Sequence, residues 1–147
     1  MRSNVTISIF VIITILCLFT VSCEKKKQGK VIVSEQEFVL RQNTENQFTI
    51  DAKGKIRNVG DVDVKKVVVT GYCRSCSELW IVGQWVISPD IEKMPYQKDI
   101  INYIAAGSEE SFSFKGIADM LLRADRKTPE LPEKLEVVIE SFDTVEE

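Results

Sequence analysis

Phe48-Thr49-Ile50-Asp51-Ala52-Lys53-Gly54-Lys55-Ile56-Arg57-Asn58 decides how the chain is read. Its small or apolar residues fall at every second position, with Thr, Asp and Lys between them. Side chains alternate across a strand, so this is the pattern of a strand with one buried and one wetted face. Asn58-Val59-Gly60-Asp61 follows as a turn signal.

Working outward, the same period recurs. Val67-Val68-Val69-Thr70-Gly71-Tyr72 is β-branched and predicts the next strand. Lys98 to Ile104, Glu110 to Phe114 and Lys134 to Phe142 predict three more. Val31–Val33 and Glu37–Arg41 predict an opening strand or two. Leu79 to Ile87 is apolar on both faces and predicts a covered strand or one that offers a face to a partner. One segment departs from the pattern. Ile117, Met120, Leu121 and Ala124 stand at i, i+3, i+4 and i+7, which predicts a short amphipathic helix from about Ile117 to Arg126. The expected fold class is therefore all-β: an immunoglobulin-like β-sandwich of about seven strands with one short helix crossover.

The N-terminus carries a different signal. Arg2 precedes an apolar run from Val5 to Val21, interrupted only by Thr and Ser, and Ser22-Cys23 closes it. A positive start, an apolar stretch and a small residue before a processing site make a secretory signal peptide. Thr20-Val21-Ser22-Cys23 resembles the lipobox of bacterial lipoproteins, with Thr20 in place of the usual Leu. The resemblance implies a cleaved signal peptide (1–22), lipidation of Cys23, a polar tether (23–30) and a domain over 31–147. It also implies membrane attachment through that lipid, since two or three acyl chains hold a protein where one does not. An uncleaved membrane helix is the rival. The run is slightly short for it, although the Lys residues after the run suit its inverted topology. Glu24 after the cysteine implies, by the family's sorting tendency, an outer membrane facing the periplasm where the host has two membranes.

Composition narrows the function. The chain has 147 residues and no histidine. Ser-His-Asp and Cys-His catalysis within one chain are excluded, as are zinc sites with His ligands. The net charge is −3, and no basic stripe of the kind that binds nucleic acid is present. Lys25, Lys26, Lys27 and Lys30 read as a solvated spacer, with contact to acidic lipid head groups as the sharper alternative. Asp61 and Asp63 lack the rest of a calcium loop and read as a solvated turn. No acid pair, phosphate loop or cofactor motif stands out.

Of four cysteines, Cys17 lies in the apolar run and Cys23 takes the lipid. Cys73 and Cys76 remain, between two predicted strands. An oxidising compartment favours a structural disulfide. A redox-active dithiol stays open, with Arg74 placed to lower a thiolate pKa. Metal binding stays open too, with two ligands supplied from elsewhere. Trp80 and Trp85 fall on opposite faces of an extended strand, so one suits the core. The other, with Val82 and Val86, is the candidate surface for a protein partner.

Two stretches resemble the FxLYD-type Ig-like domains of bacterial envelope proteins. They are Gly54-Lys55-Ile56-Arg57-Asn58-Val59-Gly60 with Val67 and Val69, and Ile104-Ala105-Ala106-Gly107-Ser108-Glu109-Glu110-Ser111-Phe112. Ala106 stands where that family has Pro, and Cys73 follows Tyr72 where it has Asp. The resemblance implies a non-catalytic sandwich acting as a scaffold or interaction module, and it assigns tight turns at positive φ to Asn-x-Gly and to Gly107. A thiol redox or metal-handling lipoprotein using Cys73 and Cys76 is the alternative.

Overall fold

The computed structural model describes residues 27–87, 93–124 and 127–145. The signal peptide, Cys23 and the turn at Ser88-Pro89-Asp90 lie outside these residues. Six strands are present among those described: β1 (Val31–Thr44), β2 (Gln47–Asn58), β3 (Val64–Cys73), β4 (Lys98–Ile104), β5 (Glu109–Leu121) and β6 (Leu135–Thr144). They form two antiparallel three-stranded sheets, ordered β1-β2-β5 and β4-β3-β6. The all-β expectation is met.

Along β2 the alternation holds from Ile50 to Ile56, while Thr49 on the opposite face is buried as well. Phe48, Ile50, Ala52 and Ile56 of β2 are buried, facing Val64, Val67 and Val69 of β3 across the core. Phe112 and Phe114 of β5 stack with ring centroids 5.7 Å apart. On the outer face of β1 and β2, Lys53 pairs with Glu37 at 3.2 Å and Lys55 with Glu35 at 3.1 Å. Both pairs are exposed and contribute little individually. Arg41 grips Asp51 at 2.6 Å, and this bond raises the guanidinium's pKa.

The predicted helix over 117–126 is not there. β5 runs through this segment as far as Leu121. Its pairing with β2 shifts between Ile50 and Ala52, so that Ala118 opposes Ile50 and Phe114 opposes Ala52. Two extra residues are thus accommodated on β5, with Gly116 at φ 75°. This bulge turns Ile117 inward beside the even-numbered series Phe112, Phe114, Ala118, Met120 and Leu122, all buried. An additional inward residue in a strand imitates the i, i+3 spacing of a helix. Leu121 and Ala124, which a helix would have buried, are exposed.

The end of the molecule where β1 begins is tied together by polar contacts. Val59 N–H donates to Lys30 C=O at 2.7 Å and Asp61 N–H to Gln28 C=O at 3.0 Å, so residues 28–30 run beside the turn after β2. Gly107 has φ 81°, as expected of its turn, but Gly60 is not in the left-handed region. Close approach is what requires a glycine there, since a Cβ would lie 2.4 Å from Gln28 O. Asp63 is not merely a solvated turn residue. Its carboxylate accepts from the Tyr103 hydroxyl and, at 2.9 Å, from Ala106 N–H.

These two bonds, the Tyr103 one first, lower the Asp63 pKa, and the same contact raises that of Tyr103. A depressed carboxylate pKa adds stability above the ordinary carboxylate range, and that contribution is lost as pH falls through the folded value. Asp63→Asn should therefore melt earlier than the parent at neutral pH. The gap should close as both are acidified below about pH 4, read as thermal midpoints from pH 7 to pH 3. A constant gap across that range would remove the linkage.

Two of the edge strands each have a main-chain donor occupied by a side chain from the other sheet. Val137 N–H of β6 donates to Gln36 Oε1 of β1 at 3.1 Å, and Ser113 N–H of β5 to Asp99 Oδ2 of β4 at 2.9 Å. A bulge interrupts β1 between Val33 and Glu35. Such features blunt an edge against pairing with other chains.

Candidate functional site

At the opposite end, β3 stops at Cys73, which is bonded to Cys76 with Cα atoms 5.4 Å apart. The expectation of a disulfide is met in this structure. Cys73 is buried, whereas Cys76 lines an open depression of about 440 Å³ with Ser77, Gln84, Trp85 and Met120. Arg74, placed by sequence to tune a thiolate, points elsewhere. Its guanidinium pairs with Glu136 at 2.5 Å and stacks 4.7 Å from the centre of the Tyr72 ring. Lys93 Nζ lies 4.8 Å from the same ring centre, and burial lowers its pKa. The Tyr72 hydroxyl donates to Glu140 at 2.9 Å, which raises the phenol's pKa. Among the described residues no group of three or more His, Cys, Asp and Glu is placed to hold a metal.

Leu79 to Ile87, expected as a strand, is a loop. From Cys76 it leaves the sheet, turns at Gly83 (φ 86°) and returns along the edge of β5. Ser77 N–H donates to Trp85 C=O at 2.8 Å and Ile87 N–H to Ser77 C=O at 2.9 Å. Val86 and Asp119 exchange both backbone bonds, at 2.8 and 2.9 Å. The returning limb thus covers part of an edge that would otherwise be open. A run apolar on both faces cannot be told from such a loop by periodicity, because the turn at Gly83 interrupts it.

The four residues assigned to a partner surface divide into two pairs. Trp85 and Val86 are buried, at 8 % and 1 % exposure, so they belong to the core and not to a docking surface. Trp85 Nε1–H donates to Glu130 C=O at 2.9 Å, which ties the exposed segment around Glu130 to the ring. Trp80 and Val82 are exposed at 63 % and 53 %, and Leu79 and Ile81 at 71 % and 45 %. Four consecutive apolar side chains therefore stand in solvent at the loop's tip. Leu121 adjoins them, its carbonyl accepting from Gly83 N–H at 2.8 Å. Sequence reasoning named Trp80 and Val82 but missed Leu79 and Ile81, which it had assigned to a strand face.

The tip's backbone is partly closed on itself. Ser77 Oγ lies 3.0 Å from both Leu79 N and Leu79 O, and Gln84 N–H donates to Ile81 C=O at 3.1 Å. The rim is polar and mixed in charge. Gln84 and Arg123 line a hollow of about 260 Å³ beside Val82, and Glu78 precedes Leu79.

Since four residues close the Cys73–Cys76 ring, the bond should stabilise the fold by only about 2 kcal/mol on the chain-entropy estimate. Replacing both cysteines with Ser should reduce the unfolding free energy by about that much, measured in denaturant. A fall of more than about 4 kcal/mol would mean that the bridge organises the core itself. Comparison with protein families, with curated proteins and with solved structures finds no match for this chain.

Proposed function

We propose that the chain is a lipid-anchored lipoprotein of the cell envelope whose Ig-like β-sandwich is a non-catalytic module for docking a protein partner. The observation that carries this reading is the polarity of the domain. The tether enters at the end where β1 begins, and the exposed Leu79–Val82 tip stands at the other. A lipid on Cys23 would hold the first end at a membrane and present the second away from it. The absence of histidine supports a role without acid–base catalysis of the usual kind.

Intact-mass analysis of the protein from its own host tests the anchor. A chain starting at Cys23 with acyl groups attached is the expected result. A chain retaining residues 1–22, with an unmodified Cys23, would overturn it. The docking role predicts that Trp80→Ala abolishes partner association with a stability change within about 0.5 kcal/mol, as for exposed positions generally.

The open depression at Cys76 favours a second reading, a thiol-exchange protein. A partner's thiolate would attack Cys76 Sγ, forming a mixed disulfide, and Cys73 would leave as the thiolate. A reduction potential below about −300 mV would place the bond among structural disulfides and remove this alternative.

A further inference from the structure

We propose that the Leu79–Val82 tip is a preformed knob for an apolar cleft on a different protein, standing at the end of the domain away from the anchored membrane. This rests on the anchored-module reading above. Three occupants fit an exposed apolar tip: a second copy, a bilayer or a foreign protein.

Area disfavours the copy. A stable interface takes roughly 800 Å² from each partner. The tip is a single turn of four residues, and two such turns meeting head-on cover only part of each. A tip this narrow is well buried only when something surrounds it.

Charge and position disfavour the bilayer. Loops and helices that bind membrane surfaces flank their apolar residues with Lys and Arg. Here the lysine-rich segment, Lys25, Lys26, Lys27 and Lys30, belongs to the tether. Among the described residues, Gln84 and Arg123 line the hollow beside Val82, and Glu78 precedes Leu79 in the chain. β1 has 14 residues, so the two ends of the domain are about 45 Å apart. The cations would meet the membrane at one end, and the apolar tip would stand clear of it at the other.

What remains has the anatomy of a protein interface. An apolar centre containing a tryptophan is ringed by polar groups of both signs. The loop is held ready by the bonds of Ser77, the pairing of Val86 with Asp119 and the bridge at Cys76. A partner therefore need not order it, which removes part of the entropy loss of association.

The test places a photoreactive phenylalanine analogue at position 80, and separately at Ile32 near the tether, in the full chain in its own host. Ile32 is the control because it too is exposed, at 40 %. The expected result is one discrete adduct with a different protein from position 80 and none from 32. With the analogue kept at 80, Leu79→Asp or Val82→Asp should cut its yield about tenfold or more. Each variant's thermal midpoint is measured, so that a folding defect in one leaves the other to decide.

An adduct with lipid, one of twice the chain's mass, equal yields from 80 and 32, or yields indifferent to both Asp substitutions would each overturn the proposal. The mass of the Cys23 end is read from the same samples. Tip-specific adducts on an unacylated chain would sink the anchor and keep the knob. Acylated protein without them would do the reverse.

Discussion

Asn58→Ala should destabilise the fold by about 3 kcal/mol, as measured by denaturant unfolding. Asn58 is fully buried at the end of β2. Its Nδ2 donates to Val62 C=O at 2.8 Å and to Ile104 C=O at 3.2 Å, and its Oδ1 accepts from Gly60 N–H at 3.0 Å. One side chain therefore joins the end of β2, the entry to β3 and the end of β4. Alanine would leave three main-chain groups without this partner, the Ile104 carbonyl in a buried bond and the other two partly buried, and a buried group so orphaned costs about 1–3 kcal/mol. Asn58→Asp is the sharper variant. It sets a carboxylate against two carbonyl oxygens, so it should lose at least as much near neutrality. Part should return on acidification, because a protonated carboxyl regains one donor. A loss under about 1 kcal/mol for Asn58→Ala would show that the three groups find other partners.

Gly54→Val should be comparably severe, at about 3 kcal/mol. A Cβ at this position would lie 2.0 Å from Glu35 O and 2.8 Å from Phe112 Cζ. The first contact is main chain, so no rotamer change relieves it. It arises where the bulge between Val33 and Glu35 presses β1 onto β2. Accommodation would require the two strands to part, which breaks their ladder next to Phe112. The expected signature is a lower denaturant midpoint with faster exchange of amides in β1. If Gly54→Val unfolds like the parent, β1 is free to move at its bulge and the close approach does not constrain the hairpin.

The strands were legible wherever a single period ran without interruption. β4 has the bounds its residues suggest, Lys98 to Ile104, and β2 and β3 are longer than expected by a few residues. The two misreadings share a cause. At Gly116 and at Gly83 the backbone takes a positive φ, which resets the direction of the side chains that follow. A period assumed to continue through such a point assigns Ile117 to a helix and joins Leu79–Val82 to Gln84–Ile87 as one strand. Composition alone does not say which glycine turns and which, like Gly54, merely yields space.

The candidate site was half legible. Only two cysteines stand in the domain, so the sequence identifies the pair, but it leaves disulfide, redox dithiol and metal binding open; the distance between them comes from the fold. Which tryptophan is buried depended on Glu130, 45 residues further along, and no local pattern carries that. In the sequence Asn58 stands out only as part of a turn motif. Its larger role, bonding to Ile104 across 46 residues, follows only from the way the two sheets meet.

The side chains of Gln36 and Asp99 each occupy a main-chain donor of a neighbouring strand. Bare strand margins pair with those of other copies and can knit molecules into fibrils. With one donor of β5 and one of β6 already taken, two of the four margins offer a second copy an interrupted ladder.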